Sequence, residues 1–212
     1  KAQEEKFKVI YSDTDSIFIA LDKRKKEDAI KFGEKINKDL PGLMELDLEG
    51  FYPRGIFVAK KDGTKGAKKK YALINEAGKI NVTGFETIRG DWSILAKEIQ
   101  QRVFELILKE NNKEKAVQYV KDIIKDIKER KIPLEKMIMG RQLRKDLSEY
   151  EAVGPHVAVA KIMQQRGLHV GPGTFVQYIV NEGKGIIRDR AKLPEDSKNY
   201  DIEYYIGHQV LP

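Results

Sequence analysis

The sequence reads FKVIYSDTDSIFIAL over residues 7–21. Runs of β-branched and aromatic residues lie on both sides of a short polar cluster, which is the pattern of two antiparallel strands joined by a tight turn. The turn carries two carboxylates, Asp13 and Asp15. If the backbone is close to extended there, both side chains leave the same face of the hairpin, because they are two residues apart.

Two carboxylates at this spacing predict a divalent metal ion. Like charges held this close resist joint ionisation unless a cation lies beside them. Mg²⁺ suits such hard oxygen ligands, and it commonly takes only one or two protein carboxylates while water and substrate phosphate complete its coordination. The competing interpretation is a polar hairpin tip without a metal, because Asp and Ser are ordinary turn residues. The tripeptide alone does not decide between them.

Two other metal-binding patterns also begin with an aspartate in this position. An EF-hand loop that starts at Asp13 would need an oxygen ligand at Ile17, Gly at Phe18 and Glu at Arg24, so this class is excluded. A phosphatase of the haloacid-dehalogenase type also places Asp-x-Asp after a hydrophobic strand. Its pattern requires Thr or a similar residue where Ile17 lies, which leaves it as a remote alternative.

Composition limits the class of protein. The 212 residues, 41% hydrophobic and 34% charged, suffice for one or two modest domains with their own cores. No apolar run approaches the roughly 20 residues that span a membrane, and the charged start is not a signal peptide. The absence of cysteine excludes disulfides and zinc–thiolate sites. The formal net charge of +7 favours an acidic polymer as partner, and abundant Lys, Glu and Ile without Cys are typical of a thermophile.

The next segments predict a helix and then an acidic strand. Residues 25–40 have apolar positions at helical spacing, and Pro41-Gly42 ends the helix. Residues 43–49 alternate apolar with acidic side chains, which predicts a half-buried strand with its carboxylates, Glu49 among them, on the outer face. Such a row is most simply the solvated side of a sheet.

A lysine-rich segment follows, with further strands and helices around it. Residues 60–70 contain two glycines among their lysines, and they read either as a solvated loop or as ammonium groups that neutralise nucleic-acid phosphates. Asp91 is predicted to be the N-cap of the first later helix. The predicted strands are 56–60, 71–74 and 79–83, and the two helices, 95–107 and 113–129, are expected to pack as an antiparallel hairpin.

The segment YSDTDS at residues 11–16 resembles the YGDTDS motif of family B DNA polymerases, with a mild change of Gly to Ser at Ser12. In that family this hairpin belongs to the palm and supplies one side of a two-metal site. The resemblance implies that Asp15 is the principal metal ligand, that Asp13 supports it, and that Mg²⁺ is the cofactor. The segment EGFY at residues 49–52 is similar to one whose acid lies near the metals, which makes Glu49 an accessory candidate.

Further motifs resemble the same family in the same order. KKKYA at 68–72 is similar to the KKRYA motif that touches the duplex near the primer end, and residues 62–67 look like a short insertion before it, whose contact with DNA stays open. GPHVAVA at 154–160 and PGT at 172–174 resemble the thumb. The DNA contacts that the resemblance implies are Lys68, Lys69, Lys70, Tyr71, Arg89, Arg141, Arg144, Tyr150, His156, Gly173 and Thr174.

The resemblance, closest to archaeal members, implies an α+β fold. We expect half of an antiparallel palm sheet with packed helices over residues 1–92, followed by a mainly helical thumb with a small β element over residues 93–212. The other palm aspartate motif, the fingers and the exonuclease motifs have no counterpart in the sequence. The chain is therefore expected to be inactive alone.

The implied function is two-metal nucleotidyl transfer by a DNA-directed DNA polymerase that acts on primer–template DNA and deoxynucleoside triphosphates. The missing parts would come from a larger subunit of a naturally split enzyme, or from the rest of one longer chain. An archaeal cytoplasm, association with the nucleoid and a sliding-clamp peptide beyond Pro212 are further expectations. The alternative function is a non-catalytic DNA-binding module in which the DTD turn is a relic.

Overall fold

The computed structural model of the chain describes residues 1–59, 66–85 and 90–211. Short 3₁₀ and π-helical turns connect its regular elements. In chain order these are β1 (Lys8–Asp13), β2 (Ser16–Ala20), α1 (Lys26–Asp39), β3 (Arg54–Ala59), β4 (Gly66–Ile74), β5 (Ile80–Thr83), α2 (Ile94–Phe104), α3 (Lys113–Lys128), β6 (Met139–Gln142), α4 (Pro155–Gln165), β7 (Phe175–Val180), α5 (Ile187–Arg190), β8 (Ala191–Lys192) and α6 (Ile202–Tyr205).

The chain divides into two compact units, an N-terminal unit of Lys1–Gly84 and a C-terminal unit of Phe85–Pro212. The N-terminal unit contains the β1–β2 hairpin and a sheet of order β3-β4-β5, and the C-terminal unit contains a sheet of order β6-β7-β8 among its helices. Within the described residues, all strand pairs are antiparallel. The predicted α+β class is confirmed. The boundary between palm and thumb that is expected after Trp92 stays a prediction.

The hairpin predicted within residues 7–21 is present. Asp13 pairs with Ser16 across a two-residue turn, so the polar cluster forms the tip, as its turn-forming residues require. Tyr11 and Phe18 lie opposite each other on the two strands, with ring centroids 6.0 Å apart. The burial of alternate residues along β1 shows that one face of the hairpin is packed and the other is exposed.

Aromatic rings pack this hairpin against the second sheet. Phe57 of β3 and Tyr71 of β4 lie 5.5 and 5.6 Å from the ring of Tyr11. The ring of Phe18 lies 5.6 and 5.3 Å from the same two rings. These are the separations at which aromatic pairs attract each other beyond the burial of their area. The cluster therefore holds the tip of the hairpin beside β4.

The strand predicted at residues 43–49 is wrong. Helix α1 forms as predicted, but the residues after it have no regular structure, and no strand in the described part of the chain pairs with them. Alternating residues form a strand only when a neighbour supplies backbone partners. Here the Asn37 amide takes that place: its Nδ2 donates to the Leu46 carbonyl at 3.0 Å, and its Oδ1 accepts from the Leu46 N–H at 2.8 Å.

Ser93, not Asp91, is the N-cap of α2, so that prediction is also wrong. The Ser93 hydroxyl accepts from the Ala96 N–H at 3.2 Å, and the Ser93 N–H donates to Gln209 Oε1 at 2.7 Å. Ser93 is fully buried, and a buried hydroxyl needs such partners. Asp and Ser are both favourable N-cap residues, so the local sequence does not distinguish Asp91 from Ser93. The hydrogen bond from Ser93 to Gln209 depends on the tertiary structure.

The core of the C-terminal unit lies between its helices and the β6-β7-β8 sheet. Tyr205 is fully buried at its centre, where its hydroxyl donates to the Met137 carbonyl at 2.7 Å and accepts from the Val180 N–H at 3.2 Å. Burial raises the pKa of Tyr205 far above its ordinary value, which keeps this hydroxyl protonated. Within the described ranges of the chain, no helix has the length and apolarity that crossing a membrane requires.

Candidate functional site

Asp13 is the last residue of β1, and its carboxylate is already engaged. Its side chain is 13% exposed. Oδ1 accepts from the Thr14 N–H at 3.1 Å and from the Thr14 hydroxyl at 3.3 Å. Oδ2 lies 3.9 Å from Nζ of Lys69 in β4. The carboxylate is thus oriented by the turn on one side and faces an ammonium group on the other.

Asp15 differs from Asp13 in its position, its exposure and its contacts. It lies in the turn itself and is exposed. Among the residues that the structure describes, no side chain forms an ion pair or hydrogen bond with its carboxylate. Because the backbone turns here, the expectation for extended backbone, that both side chains leave one face, does not apply. Asp15 is the carboxylate of this turn that is free to bind a cation.

The donor set fits a metal ion that takes few ligands from this chain. Over residues 1–59, 66–85 and 90–211, no three Asp, Glu, His or Cys side chains come close enough to hold one ion. Glu49 lies in an open cleft of about 300 Å³, lined by residues 49–52, 75–77 and Asn81. Asp13, Asp15 and Glu49 therefore form no three-carboxylate cluster. One or two carboxylates still suit Mg²⁺, whose remaining ligands are commonly water and phosphate.

Lys69 lies in a β-bulge of β4 next to this turn. The pairing of β3 with β4 changes register between Phe57 and Ala59, and Lys69 has a φ of 54°, in the left-handed region. Its backbone N–H donates to the Tyr11 hydroxyl at 2.6 Å. Lys68 and Lys69 are exposed. The structure therefore brings the lysine motif of β4 to the tip of the DTD hairpin.

A second group of expected DNA contacts surrounds Leu143 in the C-terminal unit. Leu143 is 1% exposed, whereas Arg141 and Arg144 on either side of it are exposed. The Gly173 N–H donates to the Leu143 carbonyl at 2.8 Å, and the Leu143 N–H donates to the Thr174 carbonyl at 2.9 Å. Gly173 has a φ of 91°, which glycine adopts without strain. Gly173 and Thr174 thus fix the backbone that presents the two arginines.

Tyr150 and His156 lie in the same group. The Arg144 N–H donates to the Tyr150 hydroxyl at 2.9 Å, and the Tyr150 ring meets the His156 ring edge-on, with centroids 6.1 Å apart. His156 is buried at the start of α4, whose N-cap Gly154 offers no side chain. Burial lowers the pKa of His156, the positive charge of Arg141 lowers it further, and Asp91 opposes both. The imidazole is therefore neutral at neutral pH.

Some predicted site residues lie outside the described residues. These are Arg89 and, in the lysine-rich segment, residues 60–65. Gly66 and Ala67, at the end of the suspected insertion, belong to β4. Two positions of this site escaped the sequence analysis, the Tyr11 hydroxyl and Gly84. The isolated glycine at the end of the predicted third strand was the available signal for the latter, because such glycines often mark a close approach of backbone.

A family model described as DNA polymerase family B matches residues 1–212. A DNA polymerase of Thermococcus kodakarensis is 47% identical over 223 aligned residues, which cover 100% of this chain and 13% of that protein. A DNA polymerase of Pyrococcus glycovorans is 48% identical over 222 aligned residues, which cover 100% of this chain and 28% of that protein. The chain thus spans less than a third of the length of each of these relatives.

A solved structure of similar fold is the family B DNA polymerase from the hyperthermophilic archaeon Pyrobaculum calidifontis. The two structures superpose with a TM-score of 0.70 at 34% sequence identity. The superposition covers 100% of this chain and 26% of the other.

Proposed function

The chain belongs to DNA polymerase family B, and from this premise we propose that it is the part of a DNA polymerase that supplies the DTD carboxylates and grips primer–template DNA. The observation that carries the proposal is the state of Asp15, exposed and unpaired among the described residues, at the tip of the hairpin that bears the family motif. Because the chain belongs to this family, the alternative of a haloacid-dehalogenase-type phosphatase is excluded.

Asp15 is the proposed ligand of a divalent ion, Mg²⁺, with Asp13 beside it and Glu49 as an accessory carboxylate. When bound, such an ion lowers the pKa of the attacking primer hydroxyl and neutralises charge on the triphosphate. The exposed position of Asp15 leaves room for phosphate oxygens and water to complete the coordination. The other carboxylates that a two-metal site needs would come from outside this chain.

The two lysine and arginine groups are the proposed DNA-binding surfaces. In the N-terminal unit the run Lys68–Tyr71 lies beside the DTD turn, so ammonium groups would neutralise duplex phosphates close to the metal-binding carboxylate. In the C-terminal unit Arg141 and Arg144 protrude from a backbone that Gly173 and Thr174 hold in place. Such contacts bind phosphates without reading base sequence, which suits a polymerase.

The proposed partner is a larger polypeptide with the remaining palm, the fingers and the exonuclease, in a split enzyme or in one longer chain. The chain covers 13% and 28% of two relatives, so most of a polymerase lies outside it. Apolar side chains after α1 are exposed: Leu43 at 104%, Met44 at 65% and Leu48 at 56%. Exposed apolar side chains grouped in this way are typical of a protein-binding surface.

In this proposal residues 1–92 are palm and residues 93–212 are thumb, and the enzyme works on primer–template and deoxynucleoside triphosphates in the archaeal cytoplasm, at the nucleoid. A sliding clamp is a further proposed partner. A polymerase site that lacks carboxylates and a nucleotide clamp completes neither positioning nor charge neutralisation. The chain alone is therefore expected to be inactive.

The test is primer extension with Mg²⁺ and all four deoxynucleotides, with the chain alone and with the larger polypeptide added. We expect synthesis only in the mixture, and Asp15→Asn should abolish it while the complex still forms. Asp22→Asn is the matched control, because Asp22 is an exposed turn aspartate of the same unit at a φ of 49°, which Asn tolerates. Synthesis that survives Asp15→Asn would favour the non-catalytic DNA-binding module, and synthesis by the chain alone would contradict the proposed dependence on a partner.

A further inference from the structure

The backbone of Lys69 has a conformation that lysine rarely adopts. Its φ of 54° lies in the left-handed region, which non-glycine residues rarely adopt and which is unusual inside a strand. A residue stays in such a conformation only when its surroundings determine it. Contacts with neighbouring residues impose this backbone conformation on Lys69, and they indicate the role of the bulge.

Two contacts fix the main chain of Lys69. Its N–H donates to the Tyr11 hydroxyl at 2.6 Å, and this hydroxyl comes from the hairpin, not from the sheet to which Lys69 belongs. Its carbonyl oxygen lies against Gly84, where an added Cβ would be 1.6 Å away. Only a residue without a side chain leaves room for this approach. The bulge is thus held between the DTD hairpin and the end of β5.

A third contact attracts the side chain of Lys69. Its ammonium nitrogen lies 3.9 Å from Asp13 Oδ2, while Asp13 Oδ1 is occupied by the N–H and the hydroxyl of Thr14. The Asp13 side chain is 13% exposed and the Lys69 side chain is 71% exposed. The less mobile partner is therefore the carboxylate, and it directs the flexible lysine. Asp15, two residues further, has no comparable contact among the described residues.

We propose that Asp13 and Tyr11 are positioning residues, which hold Lys69 and with it the lysine run of β4 against the tip of the hairpin, while Asp15 is the carboxylate of the turn that binds metal. The proposal rests on the proposed function of this site in a polymerase. It divides the two aspartates of the motif by role: Asp13 acts on DNA through Lys69, and Asp15 acts on the reaction through the metal ion.

The direction in which Asp13→Asn changes the affinity for DNA distinguishes a positioning role of Asp13 from a purely electrostatic one. Asp13→Asn keeps the oxygen that accepts from Thr14 and removes the negative charge next to Lys69. If Asp13 acted only as a charge near DNA, its removal would tighten binding of primer–template, because it repels phosphates. If Asp13 positions Lys69, its removal weakens binding. If Asp13 is a metal ligand, the substitution raises the Mg²⁺ concentration needed for half-maximal activity and lowers kcat.

The experiment measures, for the chain assembled with its larger polypeptide, the Kd for primer–template, kcat and the Mg²⁺ dependence. The variants are Asp13→Asn, Lys69→Met, their combination, and Asp22→Asn as control. We expect each single change to weaken DNA binding about two- to fivefold, the range of exposed ion pairs, with an unchanged Mg²⁺ dependence. The double variant should bind no more weakly than Lys69→Met alone. Tighter DNA binding by Asp13→Asn, independent effects, or a shifted Mg²⁺ dependence would overturn the proposal.

A second readout needs no activity. In the full chain, amide hydrogen exchange at Lys69 should be slow in the wild type and at least tenfold faster in Tyr11→Phe, which removes the acceptor and keeps the ring in its aromatic cluster. Tyr71→Phe is the control, since its ring belongs to the same cluster. Equal exchange in wild type and Tyr11→Phe would refute the positioning role of Tyr11. An assembly that lacks polymerase activity but shows this difference would refute the proposed function and leave the positioning of Lys69 intact.

Discussion

Gly84 shows how strongly one residue constrains the backbone around the site. A Cβ at this position would lie 1.6 Å from the main-chain oxygen of Lys69, and main chain cannot rotate away as a side chain would. The sequence contains the glycine but not the atoms that approach it, because Lys69 lies in β4 whereas Gly84 follows the end of β5. The same holds for Tyr11, where the pattern predicts a strand residue but not the donor that its hydroxyl meets.

We therefore expect Gly84→Ala to lower the free energy of unfolding by about 1–3 kcal/mol, since the bulge must shift to admit the methyl group. The measurement is denaturant-induced unfolding of the full chain. Gly78→Ala is the control: its φ of 78° carries a similar backbone penalty, but nothing lies within 4 Å of the added Cβ. Equal losses in the two variants would mean that the contact with Lys69 contributes nothing.

His156 predicts a pH dependence at the same scale. Its pKa is lowered in the folded chain from an ordinary value of 6.5, so the unfolded chain binds the proton more tightly. The stability that comes from the neutral imidazole is complete above the unfolded pKa, and it is lost as the pH falls below about 6.5. The free energy of unfolding of the wild type should thus decline more steeply than that of His156→Gln between pH 7 and pH 5. Parallel curves would contradict the assigned direction.

At the scale of elements, local patterns predicted well what local interactions decide. The hairpin and the helices formed as expected because turn residues and apolar spacing act over a few positions. The prediction of a strand at residues 43–49 was wrong because a strand needs hydrogen-bonding partners from a neighbouring strand, which its own sequence does not contain. The apolar face of α2 continued past the predicted Ile107, because the π-helical turn Glu105–Lys109 brings Leu108 into the core at 1% exposure. The contact of Asp13 with Lys69 could not be predicted from the DTD motif alone, since Lys69 lies in another strand.

The N-cap of α2 offers a prediction for this scale. Ser93→Ala removes the acceptor of the Ala96 N–H, and we expect a loss of about 1 kcal/mol or more in the free energy of unfolding, because the orphaned donor is buried. Asn112→Ala removes the corresponding cap of α3, where the Lys115 N–H donates to Asn112 at 2.8 Å, but on an exposed surface. Thermal unfolding of both variants gives the comparison, and a larger loss for Asn112→Ala would contradict this account of buried capping.

For the whole molecule, assembly is the property that composition and exposure bear on most directly. The formal net charge of +7 favours a polyanion as binding partner and carries no information about the proposed protein partner. The apolar side chains after α1 do bear on that partner, because exposed apolar surface is the part of a protein that gains most from being covered.

We expect Met44→Glu and Leu48→Glu each to weaken association with the proposed larger polypeptide by at least tenfold, because a charge would have to be buried at the proposed interface. Sedimentation of the mixed subunits measures this. Leu168→Glu in the C-terminal unit, at a leucine that is 52% exposed, is the matched control and should assemble normally. Unchanged assembly of both N-terminal variants would exclude this segment from the interface.

The two hydrogen bonds between Asn37 and Leu46 affect the thermodynamics of binding to the proposed larger polypeptide. A side-chain amide offers the same donor and acceptor as the backbone of a neighbouring strand, so a strand that displaced Asn37 would replace two hydrogen bonds with two equivalent ones. The enthalpies of the exchanged bonds would then nearly cancel. Binding through residues 43–49 should for this reason have a small enthalpy near room temperature and a markedly negative heat-capacity change, which titration calorimetry at several temperatures would detect.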